Sequence, residues 1–259
     1  MSQEIIYEVN DGVGRITFNR PEARNAFTFR MYERLAEICQ TASADSAIKV
    51  LVLTGADETA FAAGTDISEF RKFSSPQDAL DYEGRINGLL DALERIPIPT
   101  IAAVAGACTG GGTTVAACCD LRIGAVNARF GVPISRTLGN CLSMANYARL
   151  VALLGVARSK EILFTGRLVE SAEARAVGLL SEVLPDYAAL QVRADELART
   201  IATRAPLTLR ATKEAMRRIK EKMTPEEDNN MILSCYMSHD FQEGMDAFLN
   251  KRPPKWTGT

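Results

Sequence analysis

Two glycine-rich segments contain the residues of this sequence best suited to chemistry. The first is FAAGTDI at residues 61–67, and the second is GACTGGG at residues 106–112, between a predicted strand and a predicted helix. Small residues let backbone N–H groups approach a ligand closely, and a helix N-terminus adds unpaired N–H groups and a positive dipole end. Structural explanations remain open: a turn around a buried Phe61, and tight helix–sheet packing at the glycines.

Several other kinds of site are not indicated. Neither glycine run continues as Gly-Lys-Ser/Thr, and no GxGxxG follows the first predicted strand, so a P-loop and a dinucleotide fingerprint are missing. The six cysteines show no CxxC spacing, so we expect no metal and reduced thiols in a cytoplasmic protein. The net charge of −2 does not suggest nucleic acid or a membrane surface as a partner.

The spacing of apolar residues predicts an α/β core followed by a helical region. Strands are predicted at 5–9, 13–18, 49–54, 100–104, 121–125 and 180–183, and helices at 29–42, 76–95, 110–118, 140–154 and 157–163. Alternating strands and helices favour a parallel sheet. No strand pattern follows residue 190, and helices are predicted at 195–204, 206–222 and 225–249. We therefore predict a core over residues 1–194 and a C-terminal helical region over 195–259, without a signal peptide or a membrane span.

A set of short motifs runs in order along nearly the whole chain. They are NRPEARNA at 19–26, the two glycine-rich segments, DLRI at 120–123, RFGVP at 129–133, FTGR at 164–167, residues 172–179, Pro206 with Lys213, and Phe248 followed by KRPP at 251–254. In this order they resemble the crotonase (enoyl-CoA hydratase/isomerase) superfamily. Each motif is weak alone, but the ordered set is specific.

The resemblance implies a fold, a substrate and an assembly. The fold would be a spiral of ββα units with a C-terminal helical trimerisation region, in a homotrimer or homohexamer. The substrate would be an acyl-CoA thioester, with coenzyme A arriving as part of it and no permanently bound cofactor, in a lyase or isomerase of fatty acid metabolism.

The resemblance also assigns an oxyanion hole and a coenzyme A site. The backbone N–H groups of Thr65 and Gly111 would bind the thioester oxygen, and a preorganised donor of this kind contributes about 10²–10³ in rate. The residues matching coenzyme A contacts are Ala23, Arg24, Ala63, Asp66, Ile67, Ser68, Phe248 and Lys251.

Two positions depart from the family pattern. Hydratases of this superfamily carry glutamates where this chain has Thr114 and Ile134. Hydration needs a base that activates water and an acid that protonates the α-carbon, and a positioned group of either kind contributes about 10²–10⁴ in rate. Neither Thr114 nor Ile134 can supply that chemistry, so we expect standard two-glutamate hydration to be lost while the oxyanion hole remains.

Other polar groups could take part instead. Arg136 could bind a carboxylate on the acyl group, or form a surface ion pair, and Asn140 could orient a water molecule. Cys141 would be a nucleophile only as a thiolate, and we expect a buried, inert thiol. Asp81 and Glu83, on either side of Tyr82, are expected to be solvated carboxylates. Asp120 is expected to have a structural role, and His239 is expected to have no catalytic role.

Three functions stay open from the sequence. The first is an enoyl-CoA hydratase/isomerase-type enzyme that stabilises a thioester enolate or oxyanion. The second is acyl-CoA decarboxylation, hydrolysis or C–C bond chemistry with Arg136 or Asn140 as the polar partner. The third is a non-catalytic acyl-CoA-binding protein. A wholly apolar pocket around Thr114 and Ile134 would favour the last, whereas a base near the acyl chain would favour an enzyme.

Overall fold

The computed structural model describes residues 3–223, 226 and 228–259. Its larger sheet has six strands in the order β1-β2-β3-β5-β7-β10, with β1 antiparallel to β2 and the other neighbours parallel. The strands are β1 Ile5–Asn10, β2 Val13–Phe18, β3 Val50–Gly55, β5 Thr100–Val104, β7 Leu121–Ala125 and β10 Glu182–Leu184.

A second sheet of four short strands carries both glycine-rich segments. Its order is β4-β6-β8-β9, with β4 Ala60–Ala63, β6 Ala107–Thr109, β8 Arg129–Gly131 and β9 Val169–Glu170. The apolar patterns predicted none of these strands. They are two to four residues long, which is too short to show the alternation that reveals a strand.

Helices cover both faces of the larger sheet. They are α1 Phe29–Ala44, α2 Pro76–Glu94, α3 Gly111–Cys118, α4 Ile134–Thr137, α5 Met144–Thr165, α6 Ser171–Ala176, α7 Tyr187–Ala202, α8 Pro206–Met223, α9 Asn229–Tyr236 and α10 His239–Leu249. Side chains alternate along a strand, so Leu51 and Leu53 pack in the cluster formed with α1, α2 and α3, whereas Val50 and Val52 pack beneath α7. This explains why β3 is apolar at nearly every position.

Helix ends differ from the prediction in three places. α7 begins at Tyr187 rather than Asp195, because Asp186 caps it by accepting from Ala189 N at 2.8 Å. α7 therefore runs across residue 194, the predicted end of the core. α5 begins at Met144 rather than Asn140, because Ser143 is its N-cap. The helix predicted at 225–249 is two helices, α9 and α10, and Pro225 lies outside the described residues.

The predicted break between residues 154 and 157 is confirmed, since Gly155 takes a non-helical conformation within α5. In the described part of the chain, no helix is long and apolar enough to cross a membrane.

Candidate active site

The two glycine-rich segments meet because they follow neighbouring strands. β4 and β6 are parallel and pair Ala63 with Thr109, so the chain leaves both strands at the same edge. A Cβ placed on Gly111 would overlap the hydroxyl oxygen of Tyr32 and lie 3.0 Å from Thr65 Oγ1. The backbone of Gly111 therefore lies directly against the segment that contains Gly64 and Thr65.

The N–H groups of these two residues are available for a ligand. Gly111 is the first residue of α3, where an N–H has no partner within the helix. The residues on either side of Thr65 form the backbone hydrogen bonds of this segment. Phe27 N donates to Gly64 O, and Asp66 N donates to Phe27 O, both at 2.8 Å. Among the described residues, neither the Thr65 nor the Gly111 N–H donates to a protein acceptor.

Both residues line a cavity of about 430 Å³. The structure brings twelve of the fourteen predicted site residues to its walls: Ala23, Arg24, Ala63, Thr65, Asp66, Ile67, Ser68, Gly111, Thr114, Ile134, Asn140 and Phe248. Arg136 and Lys251 are absent from the lining and are exposed.

Arg136 is turned away by the single turn of α4. Ile134 and Thr137 are three residues apart and line the cavity, so the intervening Ser135 and Arg136 lie on the other side of the turn. Ser135 Oγ donates to Leu163 O at 2.6 Å, and the Arg136 Cβ lies against Gly166. The hypothesis that Arg136 binds an acyl carboxylate is therefore not supported by its position.

Thr114 and Ile134, at the two positions predicted to lack glutamates, both line the cavity and offer little acid–base capacity. Thr114 is buried, and its Oγ1 donates to Gly111 O at 2.8 Å, one turn earlier in α3. Ile134 is half-buried at the start of α4. The hydroxyl of Thr114 already has an intrahelical acceptor, and Ile134 contributes only apolar surface.

A buried carboxylate lies elsewhere in the same cavity. Glu83 on α2 is 6% exposed, and its Oε1 accepts from the Tyr236 hydroxyl of α9 at 2.5 Å. Asn140 Nδ2 donates to the same Tyr236 oxygen at 3.1 Å. We call Glu83, Asn140 and Tyr236 the polar cluster. Our expectation that Glu83 is solvated was wrong, whereas Asp81 is exposed as expected.

The sequence contained a signal for Glu83 that we did not use. The buried positions of α2 are Ala79, Glu83, Ile86, Leu90 and Leu93, which follow helical spacing. Glu83 interrupts that apolar stripe, and a carboxylate at such a position must be buried. No sequence pattern connects it with Tyr236, which is 153 residues away.

Three hydroxyl groups of the cavity wall form a small network around Thr65. Thr65 Oγ1 lies 3.0 Å from the Tyr32 oxygen and accepts from Tyr82 at 3.4 Å. Burial raises the pKa of both tyrosines, and the negative charge of Glu83 raises it further, so both hydroxyls remain protonated at neutral pH.

Hydrogen bonds fix the loops at the cavity mouth. Asn25 is buried in a left-handed conformation, accepts from Arg20 N at 2.8 Å and donates to Ala60 O at 2.7 Å. Burial opposes ionisation of Asp66, but hydrogen bonds from Ser68 and the Arg20 ion pair at 2.7 Å lower its pKa. Arg24 is the cation among the described cavity residues, and it is exposed at the mouth.

The other candidates behave structurally. Cys141 is buried at the cavity wall, and hydrogen bonding with Cys235 together with burial raises its thiol pKa. Asp120 Oδ2 accepts from Thr100 N at 2.8 Å and pairs with Lys213 at 2.6 Å. His239 is exposed at the start of α10. No group of histidine, cysteine and acidic residues suited to a metal exists among the described residues.

Comparison with known proteins places this cavity in a family. A sequence model described as enoyl-CoA hydratase/isomerase matches residues 8–259. The chain belongs to the enoyl-CoA hydratase/isomerase family. This confirms the resemblance stated above, and the parallel α/β fold with C-terminal helices agrees with it.

Individual relatives of this family are similar along the whole chain. The mitochondrial enoyl-CoA hydratase domain-containing protein 2 of Mus musculus is 36% identical, spanning 96% of this chain and 86% of its own. The short-chain-enoyl-CoA hydratase of Clostridium acetobutylicum is 32% identical, and the match spans 96% of this chain and 95% of that protein. A methylmalonyl-CoA decarboxylase in complex with 2-nitronate-propionyl-CoA superposes with a TM-score of 0.91 over 100% of both chains, at 28% identity.

An enoyl-CoA hydratase/carnithine racemase from Magnetospirillum magneticum superposes with a TM-score of 0.81 at 34% identity, covering 100% of this chain and 97% of that one. The enoyl-CoA hydratase/isomerase family fold therefore accommodates proteins named for more than one reaction.

Proposed function

We propose that this protein is an enzyme that binds an acyl-CoA thioester and stabilises its enolate or oxyanion with the backbone N–H groups of Thr65 and Gly111. The observation that carries the proposal is the pair of N–H groups, side by side at the cavity and without protein acceptors. Charge that develops on a thioester oxygen there would meet donors already in position.

The mouth of the cavity suits the coenzyme A part of the substrate. The exposed guanidinium of Arg24 is placed to contact phosphate, and the half-exposed ring of Phe248 offers an apolar surface. We propose coenzyme A contacts for the predicted set of Ala23, Arg24, Ala63, Asp66, Ile67, Ser68 and Phe248. Lys251 stays a prediction, because its exposed side chain lies outside the cavity.

The polar cluster supports an enzyme over a non-catalytic binder, because the cavity around Thr114 and Ile134 also holds a carboxylate. Standard two-glutamate hydration is not expected. Decarboxylation gains less support: a carboxylate on the acyl group would approach the charge of Glu83, and Arg24 lies at the mouth.

Assembly and location are proposals as well. We propose a homotrimer or homohexamer, since α8 leaves the apolar side chains of Leu207, Met216 and Ile219 exposed. The described cysteines are all free thiols, which is compatible with the proposed cytoplasmic location.

The test compares two ligands of equal length, butyryl-CoA and S-butyl-CoA, which differ by the thioester carbonyl. Two hydrogen bonds contribute about 0.5–1.5 kcal/mol each, so calorimetry should show butyryl-CoA binding at least about fivefold more tightly. Equal affinities would contradict the role of the two N–H groups. Absence of binding by either ligand to folded protein would overturn the proposal altogether.

A further inference from the structure

Besides Asp66, which is paired with Arg20, a second carboxylate lines the cavity, and the proposed chemistry does not use it. Glu83 is 6% exposed, lines the cavity and accepts a hydrogen bond from Tyr236. Burying a carboxylate is costly unless hydrogen bonds compensate, so a merely structural role would be better filled by an apolar residue continuing the stripe of α2. Its burial beside a ligand cavity points to a functional role.

Other groups near Glu83 are poor proton acceptors. Their pKa values are all raised, mainly by burial, with the hydrogen bond to Cys235 as the largest cause at Cys141. These groups, which interact electrostatically with Glu83 from five parts of the chain, are Tyr32, Tyr82, Cys141, Tyr147 and Tyr236. They are neutral at neutral pH, so within this group of neighbours the Glu83 carboxylate is the proton acceptor.

The position of Glu83 is fixed from a different helix. Tyr236 on α9 donates to Glu83 Oε1 and accepts from Asn140 Nδ2 at 3.1 Å, so the tyrosine hydroxyl is oriented from both sides. The ring of Tyr236 is surrounded by rings from α2, from α10 and from the 3₁₀ turn Ile67–Lys72, and its centroid lies 4.9 Å from that of Phe241. Tyr236 and Asn140 are therefore positioning residues for the carboxylate.

We infer that Glu83 is the catalytic base of this enzyme and moves a proton between two carbons of the acyl chain. This inference rests on the proposed function, since the N–H groups of Thr65 and Gly111 must hold the thioester oxygen. The reaction class is isomerisation of a β,γ-unsaturated acyl-CoA whose acyl chain carries no charge.

The steps balance without a co-reactant. The Glu83 carboxylate removes a proton from the α-carbon, the C–H electron pair forms a C=C bond, and the carbonyl π pair moves to the oxygen. The carboxylic acid then returns the proton to the γ-carbon as the carbonyl re-forms. The double bond has moved to the α,β-position, and Glu83 is a carboxylate again. One base suffices for this shift, whereas hydration needs two groups.

The experiment measures vinylacetyl-CoA in D₂O, following deuterium at the α-carbon and the appearance of crotonyl-CoA. We expect E83Q to lower both rates by about 10²–10⁴, the usual contribution of a positioned base, with the ligand dissociation constant changed less than about threefold. The matched control is D81N, which alters an exposed carboxylate two residues away on α2. It should remain within about twofold of the parent.

Y236F gives an independent readout if E83Q fails to fold. Removing the hydroxyl takes away a hydrogen bond to the charged form of Glu83, so the rising limb of the pH–rate profile should move to higher pH. An unchanged profile in folded Y236F would overturn the inference.

The outcomes separate the two proposals. If vinylacetyl-CoA binds but the parent forms no crotonyl-CoA and shows no exchange, or if folded E83Q matches the parent, Glu83 is not the base while the N–H site stands. If butyryl-CoA and vinylacetyl-CoA both fail to bind, the proposed function and the role of Glu83 fall together.

Discussion

At position 114, a hydroxyl group lies in the cavity wall, at the position where the sequence resemblance predicts that a hydratase would carry a glutamate. Thr114 Oγ1 donates to Gly111 O, so its proton is directed into α3, away from a ligand. The backbone N–H of Gly111 is unaffected by this change, because it belongs to the helix start. In the proposed function, carbonyl polarisation and proton transfer therefore depend on different atoms, and one could be lost without the other.

The double variant T114E/I134E tests this interpretation. Restoring both carboxylates should raise crotonyl-CoA hydration at least about 10²-fold, because each positioned acid or base contributes about 10²–10⁴. The measurement is the loss of enoyl-thioester absorbance. T114Q/I134Q matches the size without the acid–base groups and should show no rise. Hydratase-like rates in the parent protein would show that the missing glutamates do not matter here.

For single residues, the sequence predicted which backbone segments line the cavity, but it did not predict which side chains form hydrogen bonds there. Thr65 and Gly111 could be placed because glycine-rich motifs mark them locally. Glu83 could not be assigned, because its burial depends on Tyr236 and Asn140, and hydrogen bonds between distant segments leave no local pattern.

Among the helices, α2 has a buried face that carries Glu83 and an exposed face that carries two glycines. Its capping box at Ser75 and Asp78 fixes the start, and Gly84 and Gly88 lie in its interior. Nothing in the described structure lies within 4 Å of a Cβ placed on Gly88. Glycine there gives the unfolded chain extra freedom and gives the helix no contact.

G88A should therefore stabilise the protein by about 0.5–1 kcal/mol, which corresponds to a melting temperature increase of about 1–4 °C. G112A is the contrasting variant, since a Cβ there would overlap the carbonyl oxygen of Ala62. It should destabilise. Differential scanning calorimetry measures both, and shifts of the same sign would contradict the packing described here.

Elements with a strong pattern were predicted well, and short elements were not. β2, β5 and β7 were placed with their observed ends, because each is five or six residues long and rich in apolar or β-branched residues. β6 and β8 are three residues each and are held by pairing with neighbours, so local composition cannot reveal them. The strand ends that form the site belong to this second group.

Across the whole molecule, one buried guanidinium joins three helices. Arg149 of α5 is 2% exposed and bonds to Glu94 at 2.9 Å and Asp91 at 2.6 Å, both on α2. Glu94 also pairs with Lys220 of α8. Burial alone would raise the pKa of Glu94, but the two cations lower it below its usual value.

E94Q should cost about 3 kcal/mol at pH 7, the low end for a broken buried pair, because Asp91 still contacts Arg149. Because its pKa is lowered, Glu94 of the folded protein stays ionised at pH values at which Glu94 of the unfolded chain is already protonated. Its contribution is complete above the usual glutamate pKa and is lost as the pH falls through the lowered one.

Urea unfolding at pH 7 and at about pH 3 measures this difference, and the gap between E94Q and the parent should narrow at the lower pH. E221Q removes a more exposed carboxylate, which pairs with Arg95 and Arg217, and should cost about 0–1 kcal/mol. A gap that stays constant with pH would assign the effect to packing instead.

The C-terminal helices contribute Tyr236 and Phe248 to a cavity whose proposed thioester donors are Thr65 and Gly111. Two portions of the gene therefore encode separable properties of one site. Mutations in the last few dozen codons can alter how a proton is handled while the carbonyl contacts are inherited unchanged. Such an arrangement would allow one ancestral scaffold to acquire new reactions without first losing its ability to bind the substrate.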